Sequence, residues 1–446
     1  MVYMSVLKDK IEKLLAPSGL KYEKTNYRFS ISETIILFGL ALIIFSIPFN
    51  HINAIKSAGI IMALFGWLSY KAIRREWKIR YNPLFFPIAV FLAAVLISLF
   101  TCYDFHYTLK RIRGEILTLI LLFIIITDYC THKDKIYIIF YFFLGGNILA
   151  LILFLVQFYY NDFSIIKFTF SIARKEFMSK GLPHTSIYFL LSTTFIYIAF
   201  YYVKRLKWFL ALIPYFLVNM FLLLVSNQRA ALVGMVCVFL AHFILLKEHR
   251  RKSFVVILII FGVSTAFVLF TPLKTIIVHE DWSKIIKMDL SSESKYDSFQ
   301  LRVKIQRYFW NYLKKNPFNG VGYGRKNLKK VEKELTIKKP ADLSHAHNMF
   351  FNFALQTGVQ GLLALLYLII VQFKISWTGL KESKNNLDRF LFAGTSFFMI
   401  GIWTRLQLDD VFRYGTALSY WIIIAMATSL GFTVRRDGKT RDWKTG

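Results

Sequence analysis

Cysteine is almost missing from this chain, and acid is scarce. The three cysteines, Cys102, Cys130 and Cys237, lie far apart, in or near apolar segments. An odd, scattered set argues against a disulfide framework and offers no zinc spacing. Only 26 Asp and Glu stand against 56 Lys and Arg, a formal charge of +30. In a soluble protein such an excess would point to nucleic acid. Here the basic residues fall mostly between apolar stretches, so they read as topogenic charge and no nucleic-acid partner is expected. Repeats and low-complexity stretches are missing too. No cleavable signal is expected, because about thirty mostly polar residues precede the first apolar run.

What fills the chain is apolar. Its 446 residues are 56% hydrophobic and 17% aromatic, with a mean hydropathy of +0.48. A soluble core does not need so much apolar surface, whereas a bundle facing lipid does. Forty-five Phe and 24 Tyr suit helices whose ends sit in the membrane interface. Runs long enough to cross a bilayer, about 20 residues each, fall at 31–49, 52–70, 83–101, 114–130, 136–160, 185–203, 207–225, 230–246, 253–271, 348–372, 389–407 and 414–432. The expected fold is therefore an all-α integral membrane protein of about twelve transmembrane helices.

Lysine and arginine set its orientation. Lys71, Arg74, Arg75, Lys78 and Arg80, then Lys204, Arg205 and Lys207, then the 247–252 cluster, all fall on one side with both termini. That side is read as cytoplasmic. Residues 272–347 form one large loop on the far side, dividing the chain into 1–271, 272–347 and 348–446. Long loops cross largely regardless of charge, so this loop's basic residues do not upset the assignment. Within it, Phe299–Lys315 looks like an amphipathic helix, lying on the membrane surface or against the bundle. Asn316-Pro317 ends that helix, and Asn319–Gly324 is a turn-rich connector.

Three features on the extracytoplasmic side are able to carry chemistry. Ser344-His345-Ala346-His347-Asn348 stands immediately before the tenth span. A neutral imidazole there can accept a proton from a sugar hydroxyl near pH 7. A plain helix cap made by Ser344 or Asn348 explains part of the same pattern, and His-x-His also suits zinc, although no third ligand of suitable spacing follows. Ser226-Asn227-Gln228-Arg229 is the tight connection between spans seven and eight. Arg229 opens a helix whose backbone N–H groups already favour an anion, and a guanidinium there suits a phosphate; snorkelling is the bland alternative. Arg302, with Arg307 five residues later, lies on the loop helix. Arg111, Arg113, Arg405 and Arg413 would enlarge a basic cavity for a polyanion. Gly320–Gly324 is no nucleotide loop, lacking a following Lys-Ser/Thr and a preceding strand. Gly358 and Gly361, inside the tenth span, are expected to allow close helix packing.

Together these residues resemble the bacterial O-antigen ligase family, in the superfamily that also holds O-antigen polymerases and protein O-oligosaccharyltransferases. The resemblance rests on His345–Asn352 continuing through Gln356–Gly361, the hairpin ending at Arg229, the Arg302 helix and the Pro317–Gly324 connector. It covers about 226–372 and departs at Asn227-Gln228, where a Ser or Thr often precedes the arginine. It implies a GT-C-like glycosyltransferase of the bacterial inner membrane, its active site facing the periplasm. The implied donor is O-antigen on undecaprenyl diphosphate, and the implied acceptor is the lipid A-core oligosaccharide. Neither metal nor nucleotide cofactor is expected, because the lipid diphosphate is itself the leaving group. Arg229 and Arg302, with Arg307, are candidates to hold the diphosphate. His347 is the candidate base, with His345 orienting or replacing it. Displacement by the acceptor hydroxyl would invert the anomeric centre.

Two other readings compete. An O-antigen polymerase would use the same chemistry on a growing glycan. A flippase for a lipid-linked glycan would instead place its charges near the bilayer midplane, often between broken helices.

Overall fold

The computed structural model describes residues 30–50, 52–176, 181–226, 228–250, 298–332 and 346–442, with isolated positions at 254, 258 and 262. Among them the architecture is all-helical, with no strand. The helices are α1 (Ile31–Ser46), α2 (Asn53–Arg74), α3 (Phe85–Ile97), α4 (Phe105–Arg111), α5 (Thr118–Tyr129), α6 (Lys133–Tyr160), α7 (Ile165–Ala173), α8 (Leu182–Tyr202), α9 (Leu206–Val225) and α10 (Arg229–Leu245). After the loop region come α11 (Ser298–Lys315), α12 (Arg325–Glu332), α13 (Met349–Glu382), α14 (Asn386–Gln407) and α15 (Tyr414–Asp442). A π-helical turn, Ile112–Leu117, joins α4 to α5.

Each predicted span except the ninth overlaps one of these helices; the ninth, at 253–271, lies almost wholly outside the described residues. Five helices are by themselves long and apolar enough to cross a membrane: 133–160, 183–202, 206–225, 349–382 and 415–435. Large apolar side chains face outward along the bundle, among them Phe38, Ile61, Phe65, Leu210, Val236, Leu240 and Ile370. Water would oppose such a surface and lipid accepts it. The chain is a multi-pass membrane protein. Two short helices, α4 and α7, were not expected from the sequence.

Small residues set the closest helix contacts. A Cβ on Gly39 of α1 would lie 2.6 Å from the Ala63 nitrogen of α2, and one on Gly234 of α10 would lie 2.6 Å from the Gly401 carbonyl of α14. Ser30 caps α1 in a reciprocal box with Glu33. At the bundle end bearing the short basic loops, buried ion pairs tie the helices together. Lys71 meets Asp128 at 2.6 Å and Lys135 meets Glu33 at 2.7 Å, while Trp67 donates to Asp128 at 2.8 Å.

The loop region packs on the opposite end. Ile305, Phe309 and Leu313 of α11 share a small core with Val321, Leu328, Val331, Ala346, Ala354 and Leu355. The amphipathic helix therefore lies against the first turns of α13. The connector between α11 and α12 is sewn into α13 by backbone bonds. Gly358 has φ +79° and ψ 172°, breaking the α-helix in its third turn. The partners lost there are replaced from outside: Val321 and Gly322 N–H donate to the Leu355 and Gln356 carbonyls at 3.0 Å, and Val359 N–H donates to the Pro317 carbonyl at 2.8 Å. This corrects the expectation for Gly358, whose role is a break that seats the connector rather than helix–helix packing. A Cβ there would also lie 2.7 Å from the Phe318 carbonyl.

Candidate functional site

A short turn, Ala346–Asn348, stands at the mouth of α13. Asn348 is the N-cap, its side chain accepting from Phe351 N–H at 3.0 Å. His347, just outside the helix, has φ +51°, a conformation uncommon for a residue with a Cβ. Three bonds hold the turn. Ala346 N–H donates to Asn352 Oδ1 at 2.7 Å, Asn352 Nδ2 donates to Asp410 Oδ2 at 2.8 Å, and Gln306 Nε2 of α11 donates to the Ala346 carbonyl at 3.1 Å. Strain of this kind persists only where surrounding bonds over-determine it.

His347 faces a carboxylate. Its Nδ1 lies 3.7 Å from Asp409 Oδ1, and Asp409 Oδ2 lies 3.6 Å from Arg405 Nη2. The Arg405 side chain is fully buried, and its Nη2 also reaches Ser186 Oγ at 3.4 Å and the Pro183 carbonyl at 3.5 Å, both on α8. A proton arriving on His347 would thus find a negative neighbour, itself oriented by a buried cation. Asp410 N–H donates to Asp409 at 2.8 Å and fixes the pair of acids in relation to each other.

Beside this row lies a small polar cleft of about 40 Å³, lined by Arg111, Glu115, Tyr323, Arg325, Asn352, Asp410 and Arg413. Arg325 Nε donates to Asp410 Oδ2 at 3.1 Å, Arg413 stands 4.0 Å from the same oxygen, and Arg111 pairs with Glu115 at 2.6 Å. Three guanidiniums of the cleft thus face two carboxylates, and the expected basic cavity is largely neutralised. Burial, then the charge of Glu115, holds the Tyr323 hydroxyl well above its ordinary pKa, so it remains a donor. The cleft continues into an apolar slot of about 60 Å³ that reaches Phe91, Leu365 and Trp403.

The candidate residues taken from the sequence fall as follows. Arg229 is the first residue of α10 and exposed. One helix turn further, Gly234 packs on Gly401 and the Arg405 side chain. Arg229 is therefore at the same end of the bundle as Arg405, Asp409 and His347. Arg302 is on α11, one turn before Gln306, and its side chain lies outside the described part. Arg307 is exposed on the same helix. His345 lies outside the described residues.

Residues 214–366 match the family model described as O-antigen ligase. Over that segment the chain is similar to the O-antigen ligase family. The match runs from within α9 into α13, roughly a third of the chain, and takes in Arg229, Arg302, His345 and His347. Members of the O-antigen ligase family are glycan-transferring enzymes, ligases or polymerases. No curated protein matches the chain. Asp409 and Asp410 fall beyond the matched segment. Sequence reasoning passed over them, and over Asn352 as a bridging residue. An acidic pair closing an apolar span, in a chain so poor in acid, is the signal that would have found them.

Proposed function

We propose that the protein is an O-antigen ligase that moves a polysaccharide from undecaprenyl diphosphate to a hydroxyl of the lipid A-core oligosaccharide. The reading places this transfer at the periplasmic face of the bacterial inner membrane, with about twelve spans, both termini cytoplasmic and residues 272–347 as the large periplasmic loop. The observation that carries it is the His347–Asp409–Arg405 row at the mouth of α13. This row shares one end of the bundle with Arg229 and is bonded to the helix of Arg302.

In this mechanism His347 takes the proton of the acceptor hydroxyl as that oxygen attacks the anomeric carbon. Asp409 stabilises the imidazolium that forms. The bond to the diphosphate breaks, and the departing oxygen gains negative charge. Arg229 and Arg302 oppose that charge most strongly in the transition state, which is where stabilisation raises rate. Direct displacement inverts the anomeric centre.

The test is genetic. Deletion in the host should leave bare lipid A-core and accumulate lipid-linked O-antigen. Wild type should restore the ladder on a lipopolysaccharide gel, whereas His347→Ala and Arg229→Ala, present at normal membrane levels, should not. Core capped with a single repeat unit in the deletion strain would make the protein a polymerase. A product that keeps the donor's anomeric configuration would overturn the displacement, and full rescue by His347→Ala would remove the base.

A further inference from the structure

A second cavity lies at the other end of the same helices. Its volume is about 350 Å³, at the small end of ligand pockets. It is lined by α6, α8, α9, α14 and α15, and its walls are almost wholly apolar, with Phe140, Phe143, Phe195 and Phe390 prominent. α8 and α14 both run between the two sites. Pro183 and Ser186 of α8 touch Arg405 while Ala199 lines the cavity; Arg405 stands in the last turn of α14 while Leu387 and Leu391 line the cavity. The cavity is thus remote from His347.

Three observations bear on its occupant. Its innermost polar groups are satisfied by one another: Asn147 donates to Asn219 at 3.1 Å, Ser192 donates to Asn219 at 2.9 Å, and Tyr215 donates to Asn147. They ask nothing of a ligand, and the remaining walls suit hydrocarbon. Ile148 of α6 and Ala211 of α9 line it yet are exposed on the bundle's outer face, so it opens sideways toward lipid. Val203 and Trp208 also line it, and they bracket Lys204, Arg205 and Lys207. Those three are exposed, and among the described residues none of them is in an ion pair.

We propose that this cavity binds one anionic phospholipid, an acyl chain entering between α6 and α9 and the phosphate resting on Lys204, Arg205 and Lys207. An apolar cavity open to a bilayer is filled by hydrocarbon rather than water. A basic cluster at its rim selects among lipid headgroups by charge. The inference needs the membrane embedding alone and does not depend on the transferase reading.

Trp208 supplies the probe. The full-length protein is reconstituted in nanodiscs with phosphatidylglycerol or phosphatidylcholine brominated on the acyl chain. The Trp208 signal is isolated from the nine tryptophans by difference against Trp208→Phe. Brominated phosphatidylglycerol should quench it at a mole fraction at least about fivefold lower than phosphatidylcholine, the worth of one basic residue at a membrane surface. Lys204→Gln, Arg205→Gln and Lys207→Gln together, all surface changes, should bring the two lipids to parity. Ala211→Phe, at an exposed position lining the cavity, should weaken quenching by both. Equal quenching of the wild type by the two lipids would overturn the headgroup site. Unchanged quenching in Ala211→Phe would overturn the cavity as the place of the chain.

Discussion

Removing the Asp409 carboxylate tests the row on which the site is built. Two unit charges 3.6 Å apart, the Arg405–Asp409 separation, attract by about 5 kcal/mol at an effective dielectric of about 20. Asp409 keeps 17% of its side-chain exposure, which screens part of this, whereas the Arg405 side chain keeps none. Losing one partner of a buried pair typically costs about 3–5 kcal/mol, because the remaining charge is stranded. Asp409→Asn should therefore destabilise the protein by roughly 2–4 kcal/mol. The double variant Arg405→Met, Asp409→Asn removes both charges and should recover most of that loss. Reversible unfolding in mixed micelles, read for the wild type, both single variants and the double, gives the coupling directly. A coupling below about 0.5 kcal/mol, the usual error of additivity, would refute the reasoning, since Asp409 would then not be what holds the buried guanidinium. In a transfer assay the double variant should stay impaired despite its regained stability, because His347 has lost its negative neighbour.

Other expectations follow from the same geometry. Gly358→Ala puts a Cβ on a residue with φ +79° and within 2.7 Å of the Phe318 carbonyl; a cost on the order of 1–3 kcal/mol and faster proteolysis at the connector are expected, and an unchanged digestion pattern would count against the break. Asn352→Leu removes one hydrogen bond each from Ala346 N–H and Asp410, so a loss of about 2 kcal/mol and a fall in transfer rate are expected; unaltered turnover would mean the His347 turn is held by other means. Arg229→Lys keeps the charge and gives up the guanidinium fork, so it should transfer more slowly than wild type yet faster than Arg229→Ala; equality with Arg229→Ala would show that charge alone is not what counts. Gly234→Leu must push α10 from α14, where only 2.6 Å separates a Cβ from the Gly401 carbonyl, and a thermal melt no lower than wild type would refute that contact.

The helices were legible because a bilayer demands runs of about 20 apolar residues, and α11 was legible from its amphipathic period. The short helices α4 and α7 escaped, since seven and nine residues give too little periodicity to separate from a loop. Gly358 was misread because glycine within an apolar run fits a close helix contact and a break equally well, and only the position of the connector decides between them. Arg405 was expected to enrich a basic cavity. Its burial follows from Asp409, one turn on along the chain, a pairing that the spacing permits but does not require. Asn352 was part of the quoted motif, yet its bonds to Ala346 and Asp410 depend on two separate segments meeting, which no local pattern announces.

The seam between the connector and α13 makes two parts of the protein share one fate. A buried backbone group left unpaired costs about as much as a lost hydrogen bond, and the carbonyls of Leu355 and Gln356 accept from the Val321 and Gly322 N–H groups. The connector cannot lift away as a separate flap without leaving the top of α13 unfinished. Nor can the first turns of α13 shift without dislodging the connector that follows α11. On the proposed function, the room a long glycan chain needs at this face is to be found to the side of the seam, with α11, the connector and the His347 turn acting as a single block.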